Sequence, residues 1–321
     1  MKSIRNRVRN QFLYARNLRT ALCMGRRHAI LGISFAILVL LMSSCASTSR
    51  MAGPLTSFSS ATGEAVVASR AALDTIQTVD IEKSAYNAAT ENELSEKLFP
   101  PFLTIGDVQQ RVLVLDALAT YANKMKQLAG LNKSEEIKKN FADLKTNLDS
   151  LSKTIESVPG VTHKLPDGVL GALTLIGEGL VNLYVAHERD KTISDALEKT
   201  DPYIKKMCDL ISSEYSNKHG TFYDQLQASY RTLQTSINEK FKSAKDKQGK
   251  LVAAREYGII IKKKEIGLSL FASIGDSYTK IASAHNALLL QSTKNISSED
   301  QLNALSAQIE CTKFFYAQLV K

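Results

Sequence analysis

The chain contains no tryptophan and only six prolines among its 321 residues, and aromatic residues make up 7% of it. No proline follows residue 202. Because proline interrupts helices, long proline-free stretches favour helical structure. Alternating runs of β-branched residues and repeats of fixed length are also missing, so the sequence predicts neither a β-sheet nor a solenoid. With 44% hydrophobic and 23% charged residues, the composition is that of a globular protein.

Acidic residues are missing from the first 44 positions, which carry eight Lys or Arg side chains. The whole chain has 41 basic and 32 acidic residues, a net charge of +9 that would suit a nucleic-acid partner. Residues 45–321 contain 33 basic and 32 acidic residues, which leaves a net charge of +1. The positive charge therefore belongs to the N-terminal segment, and we expect no nucleic-acid partner.

The basic segment leads into 14 uncharged residues, 29–42, followed by the small residues Ser43 and Ser44. A basic end, an apolar core and small residues form the pattern of a secretory signal peptide. Fourteen residues are too few for a membrane-spanning helix, which needs about 20. The uncharged stretch extends to Ser49, however, so an uncleaved membrane anchor is the alternative interpretation.

The residues Met42-Ser43-Ser44-Cys45 resemble the lipobox of bacterial lipoproteins, in which Leu, a small residue and Gly or Ala usually precede the Cys. Met42 and Ser44 depart from the commonest form, and the resemblance covers only about twenty residues. It implies that Cys45 carries a diacylglycerol, that the chain is cut before it, and that the new amino end is acylated. The implied location is the bacterial cell envelope. Ala46 after the Cys implies the outer membrane, facing the periplasm.

These features divide the chain into three parts. Residues 1–44 are predicted to be a lipoprotein signal peptide, with Met24 as a possible true start because Gly-Arg-Arg-His follows it. Residues 45–55 are small and polar and predict a flexible tether. Residues 56–321 are expected to form a single all-α domain.

Apolar residues at alternating spacings of three and four run from Ile137 to Val158 and predict a helix there. Similar stripes cover 108–129, 204–215, 222–241, 270–288 and 302–319. Helix starts are predicted at Thr104, at Asp201-Pro202 and, with a capping box, at Ser298. The sequence therefore predicts an elongated antiparallel bundle of six or seven long helices.

The segment 167–186 is apolar on nearly every side and contains Gly171, Gly177 and Gly179. We interpret it as a core helix whose glycines let neighbouring helices approach closely. The alternative is a membrane-inserting element, an arrangement that looks like the α-helical pore-forming toxins and would make the protein membrane-perturbing. Glu178 lies in mid-segment and opposes insertion.

Catalytic and metal-binding motifs are missing. The histidines after the signal segment are His163, His187, His219 and His285, and none completes a zinc-protease or di-iron motif. His285 lies on an apolar stripe and is predicted to be a hydrogen-bonded core residue. We expect no catalytic residue, metal or cofactor; the alternative is an enzyme whose site is assembled from scattered polar residues in a cleft.

Two other features have open interpretations. Cys208 and Cys311 are the thiols that remain beyond Cys45, and they predict either a disulfide in an oxidising envelope or two small buried side chains. The run 262–264, three lysines, predicts a solvated helix face, with a phospholipid or nucleic-acid contact as the alternative.

Taken with the lipobox, the helical pattern predicts a lipid-anchored cell-envelope lipoprotein that is not an enzyme. We expect its membrane attachment to be the lipid at Cys45. Its partner is expected to be another envelope protein, which it binds or scaffolds through helical surfaces.

Overall fold

A computed structural model describes residues 49–91, 94–99, 101–131, 133–181, 189–216 and 220–320. These ranges belong to one compact unit that begins at Thr48. The predicted signal peptide, the possible start at Met24 and the predicted lipid site at Cys45 lie outside the described residues, as do His187 and His219.

The described residues form eight α-helices and one short 3-10 helix, Glu96–Leu98, and contain no strand. The predicted all-α class is therefore confirmed. Seven of the helices have 21 to 48 residues and one has 13, which agrees with six or seven long helices. In chain order they are α1 (Ala52–Glu91), α2 (Ile105–Leu128), α3 (Ser134–Ser157), α4 (Val169–Val181), α5 (Arg189–Tyr215), α6 (Thr221–Ser243), α7 (Lys247–Lys294) and α8 (Glu299–Leu319).

Helix α7 is the longest element and packs against α1, α5, α6 and α8. Its contacts with α1 show that the two helices are antiparallel. Arg50, just before α1, donates to the carbonyl of Ser292 at 2.9 Å, whereas Lys263 near the other end of α7 lies 3.4 Å from Glu82. Residue numbers rise along α1 as they fall along α7.

The same reversal holds for the other neighbours of α7. On α5, Ser194 meets Ser292 and Ser212 meets Gly275. The contacts with α6 follow the same order, since Gln234 meets Lys264 and Lys240 meets Glu256. Those with α8 do so too, since Ser298 meets Gln291 and Thr312 meets Ser273. The predicted antiparallel packing is therefore confirmed around α7.

Helix α2 begins as the sequence predicts. The Thr104 hydroxyl accepts the backbone N–H of Asp107, and the Asp107 carboxylate accepts the backbone N–H of Thr104 at 2.8 Å, a complete capping box. Each side chain satisfies a backbone donor that a helix start leaves without a partner.

The helix start predicted at Asp201 is wrong, whereas the start predicted at Ser298 is correct but lacks its capping box. Helix α5 begins at Arg189, not at Asp201, and Pro202 lies inside it. Proline removes one hydrogen bond of the helix. The helix continues because Ile193, Leu197 and other side chains before the proline are buried in the core. Ser298 makes no capping box, since its side chain and its backbone N–H both donate to Gln291.

The predicted tether, 45–55, is too long. Helix α1 begins at Ala52, and the side chains of Met51 and Leu55 are fully buried. Pro54 falls in the first turn of α1, where a missing N–H costs no helical hydrogen bond. Burial of these two apolar side chains explains why helix replaces the end of the tether.

The apolar segment 167–186 is a core helix over Val169–Val181, but it is not buried on every side. One face packs in the core, while Leu175 is 41% exposed and Glu178 is exposed. A Cβ on Gly177 would lie 3.5 Å from Lys145, an ordinary van der Waals distance, and a Cβ on Gly171 would have no atom within 4 Å, so neither glycine is required for a close helix contact. Residues 182–186 lie outside the described ranges.

Gly106 is predicted to tolerate no side chain. A Cβ there would lie 2.3 Å from the carbonyl oxygen of Pro159, a backbone atom in the loop that crosses the start of α2. We expect Gly106→Ala to lower the free energy of unfolding by about 3 kcal/mol, measured by urea denaturation.

Gly171→Ala is the matched control, because a Cβ at this position would have no atom within 4 Å and Gly171 occupies an exposed place on α4. This change should raise stability by up to about 1 kcal/mol through helix propensity. Equal effects of the two substitutions would contradict the close contact at Gly106.

Candidate functional site

A chain of buried polar groups joins α2, α5 and α7. His285 on α7 is fully buried, and its Nδ1 lies 2.8 Å from the Asp201 carboxylate. Its Nε2 lies 2.6 Å from the hydroxyl of Tyr121, which in turn lies 2.6 Å from the hydroxyl of Thr200. The predicted role of His285 as a hydrogen-bonded core residue is therefore confirmed.

A count of protons shows what this chain requires. The Asp201 carboxylate at one end and the carbonyl of Ala196, which accepts from Thr200 at 2.8 Å, at the other are acceptors only. Four hydrogen bonds join these groups in sequence, and Tyr121 and Thr200 supply one proton each. A neutral His285 supplies one more and leaves one link without a hydrogen, whereas a doubly protonated ring completes all four.

Asp201 is the member of this chain that faces solvent. Partial burial raises its pKa, but the hydrogen bond and the charge of His285, with the hydrogen bond from Asn286, outweigh that effect and hold the pKa below its usual value. Burial raises the pKa of Tyr121, so its phenol stays protonated. The arrangement is a carboxylate, an imidazole and a phenol in sequence, a geometry that enzymes use for proton transfer.

A surface groove of about 510 Å³ lies beside Asp201, between α5, α7 and the start of α8. A molecule in this groove could touch the Asp201 carboxylate. It could not touch the His285 ring or the Tyr121 hydroxyl, because both residues have no exposed surface. A proton donor or nucleophile must reach its substrate, so the geometry favours a structural role for this chain.

Asp107 is the centre of a second buried cluster. Its carboxylate accepts hydrogen bonds from the backbone N–H groups of Thr104, Thr162 and His163 and from the Thr162 hydroxyl, all at 2.7–2.8 Å. Burial by itself raises the pKa of Asp107, but these donors outweigh it and hold the pKa well below the usual range. The cluster ties the loop after α3 to the start of α2.

A buried ion pair adjoins this cluster. Arg111 lies 2.6 Å from Glu214, donates to the carbonyl of His163, and stacks 5.0 Å from the centre of the Phe222 ring. Burial raises the pKa of Glu214 and the charge of Arg111 opposes that rise. The cavity beside the pair has about 10 Å³, room for a single water. It is too small for a substrate.

Metal-binding clusters of His, Cys, Asp or Glu do not occur among the described residues. In the same part of the chain, no helix is both long and apolar enough to cross a bilayer. The structure contains no disulfide between Cys208 and Cys311. Cys208 is fully buried on α5, whereas Cys311 is half-buried on α8, and these helices pack on α7 through different residues.

An uncovered groove of about 250 Å³ follows the end of α8. Helix α8 stops at Leu319, and beyond it a face of α1 is open to solvent. We call this site the α1–α8 groove. It is lined by Ala71, Asp74, Thr75, Thr78, Val79, Glu82, Tyr230, Lys263, Tyr316, Leu319 and Val320.

The α1–α8 groove exposes apolar side chains to solvent. Among its lining residues, Val320 is 63% exposed and Tyr316 is 36% exposed. Tyr230 also lines the groove, but its side chain has no exposed surface, so a molecule in the groove would not reach its hydroxyl. The exposed apolar side chains at the end of α8 are therefore the candidate contacts for a bound molecule.

Sequence reasoning identifies His285 as a core residue but misses its partners. Tyr121 and Thr200 lie 79 residues apart in the chain, and no local motif links them. The sequence predicts a helix cap at Asp201, because Asp before Pro is a common helix start. The α1–α8 groove escapes sequence reasoning too, since it depends on where α8 ends against α1.

Comparison with protein-family models, with curated proteins and with solved structures gives no match to this chain.

The Asp107 cluster predicts a specific pH dependence. Because the folded-state pKa of Asp107 lies below the unfolded-state value near 3.9, the unfolded chain binds the proton first on acidification. The stability that this carboxylate contributes is therefore present above about pH 5 and is lost as the pH falls below 4. Asp107→Asn should cost about 3 kcal/mol at pH 7, and less at pH 3, in urea denaturation.

Asp167→Asn serves as its control, since Asp167 is exposed, and this change should stay within about 0.5 kcal/mol. A cost of Asp107→Asn that does not depend on pH would contradict the account.

The buried chain around His285 predicts energetic coupling between its ends. Tyr121→Phe removes the hydroxyl that links His285 to Thr200 and should cost about 2 kcal/mol of unfolding free energy. Asp201→Asn should cost a similar amount, and the double variant should show a coupling energy of about 1 kcal/mol. Tyr203→Phe, at a half-buried position on the same helix as Asp201, should have little effect. Strict additivity of Tyr121→Phe and Asp201→Asn would show that the chain does not act as a unit.

Proposed function

We propose that this protein is a lipid-anchored component of the bacterial cell envelope that binds another envelope protein and is not an enzyme. The observation that carries the proposal is the α1–α8 groove, an uncovered helical face with exposed apolar side chains. Such faces commonly receive an amphipathic helix of a partner.

The anchoring part of the proposal rests on the resemblance of residues 42–45 to a lipobox. Four peptide units separate Cys45 from Ser49, a reach of at most about 14 Å. From Ser49 onward the chain is fixed to the bundle, since its hydroxyl donates to Asp190 at 2.5 Å and Arg50 donates to Ser292. A lipid at Cys45 would therefore keep this end of α1 close to the outer membrane, with the domain in the periplasm.

The dimensions of the α1–α8 groove suit a helix. Its lining residues on α1 run from Ala71 to Glu82, which are 11 residues apart, or about 17 Å along a helix. This is the length of three helical turns. Lys263 and Glu82 lie 3.4 Å apart at the groove, so each can also pair with a charge on a partner.

The non-enzymatic part of the proposal is supported by the burial of His285 and Tyr121. These side chains form the most chemically suggestive cluster among the described residues, yet a substrate in the neighbouring groove would meet only Asp201. The membrane-perturbing alternative is not carried further, because α4 buries Leu173, Ile176 and Leu180 in the core and would have to leave it to insert.

The groove predicts a site-specific contact in cells. A photo-crosslinking amino acid at Thr78, inside the α1–α8 groove, should join the chain to one envelope protein. The same amino acid at Thr146, an exposed position on α3, is the matched control and should give no such product.

A blocking variant then tests whether the groove itself is responsible. Ala71→Arg places a large charged side chain within the groove and should reduce the Thr78 product about tenfold. Products that are equal at Thr78 and Thr146, or that persist in the Ala71→Arg variant, would contradict the proposal.

A further inference from the structure

The region around the connection between α6 and α7 has an excess of positive charge. Residues 239–265 contain nine basic and four acidic side chains, a net charge of +5. The rest of residues 45–321 has 24 basic and 28 acidic side chains, a net charge of −4. The near-neutral total therefore conceals a strongly positive region at one end of α7.

The same region exposes apolar side chains. On α7, Leu251, Val252 and Ile259 are 42%, 38% and 56% exposed, and Phe241 on α6 is 40% exposed. Single exposed apolar residues are common on protein surfaces, but several together mark an interaction site.

These apolar and basic residues share one face of α7. Leu251, Arg255, Ile259 and Lys262 follow each other at spacings of four, four and three, which places them on one side of a helix. All four are exposed, whereas Ala253 and Ile260 on the opposite side are buried. We call Leu251, Val252, Arg255, Ile259 and Lys262 the tip surface.

Several cations of this region are available to a partner. Lys240 pairs with Glu256 at 2.8 Å and Lys263 with Glu82 at 3.4 Å. In the described part of the chain no carboxylate lies within ion-pair distance of Arg255 or Lys262, or of Lys242, Lys245 and Lys247 at the turn, and all five are exposed.

We propose that the tip surface binds the anionic face of a phospholipid bilayer. Basic residues draw a helix to an anionic leaflet, and apolar side chains on the same face enter the boundary between headgroups and acyl chains. Both kinds of residue are present here on one exposed face. A nucleic acid would satisfy the cations but leave Leu251, Val252 and Ile259 in water, so the bilayer is the better match.

The position of the tip surface gives this contact a geometric consequence. Arg50 contacts the carboxyl end of α7, whereas the tip surface lies at its amino end. Helix α7 has 48 residues, or about 72 Å at 1.5 Å per residue. An anchor near Arg50 and a bilayer contact at the tip surface would therefore be separated by most of this length. The tip contact does not depend on the α1–α8 groove.

The missing tryptophan makes a direct test possible. Ile259→Trp introduces the sole tryptophan of the full chain at an exposed position of the tip surface. With phosphatidylglycerol vesicles, its emission should move to shorter wavelength and be quenched by brominated acyl chains. With phosphatidylcholine vesicles it should do neither, even where the N-terminal segment holds the chain on the vesicle. Val252→Trp is a second reporter, which should respond in the same way if Ile259→Trp disturbs folding.

Val67→Trp is the matched control, because it is similarly exposed but lies on α1 at a distance from the tip surface, and it should not respond. In the Ile259→Trp chain, Arg255→Glu with Lys262→Glu should weaken the response at least about tenfold, since each basic residue near an anionic leaflet is worth about fivefold in binding.

Three results would overturn the proposal. The first is protein that sediments with phosphatidylglycerol vesicles while the emission wavelength of its tip tryptophan stays unchanged. This result would contradict the tip contact without contradicting a lipid anchor at Cys45. The second is an equal response at Val67→Trp. The third is a response to duplex DNA that matches the response to phosphatidylglycerol vesicles at equal phosphate concentration.

Discussion

The four helices α1, α5, α6 and α8 pack along α7 and run antiparallel to it, so this single 48-residue helix fixes where they lie. Long helices in water gain most of their stability from packing rather than from propensity. Along α7 the buried side chains extend from Ala253 to Leu288, so nearly its whole length is held by neighbours. At Gly275 a Cβ would lie 3.3 Å from the carbonyl of Ser212, which shows how closely α5 approaches. Both proposed binding surfaces depend on this arrangement.

Buried polar groups fix the register of these helices. Apolar side chains permit a helix to slide by a turn at moderate cost, whereas a buried carboxylate or imidazole must meet its partners. Asp201 and His285 hold α5 against α7, and the Asp107 cluster holds the loop after α3 against α2. These groups resemble catalytic clusters in composition, and their burial favours a structural role.

The sequence predicts the helices better than their junctions. Periodic apolar residues such as those from Ile137 to Val158 locate α3 correctly, because burial of one face determines that pattern. Local cap signals are less dependable: Thr104 caps α2, but Asp201 lies inside α5, and Ser298 precedes α8 without capping it by its side chain. Core packing outweighs the proline in the first case, and in the second the Ser298 hydroxyl donates to Gln291, seven residues earlier.

The candidate binding surfaces needed the structure because each combines residues from separate helices. The α1–α8 groove exists because α8 ends before α1 does, and the tip surface is exposed because it lies on the side of α7 opposite to the buried residues Ala253 and Ile260. Charge counting over the whole chain also conceals this region, since the net charge of +5 of residues 239–265 is nearly balanced by an acidic remainder. Charge becomes informative once it is counted over one end of a helix.

The whole arrangement depends on α7 being one continuous helix from Lys247 to Lys294. The direct measurement is the distance between spin labels at positions 250 and 294 by pulsed electron paramagnetic resonance, in a chain whose four native cysteines are replaced by Ser. Forty-four residues of continuous helix predict a single narrow distance of about 66 Å. A distance well below this value, or a broad distribution, would show that α7 is broken and would contradict the account.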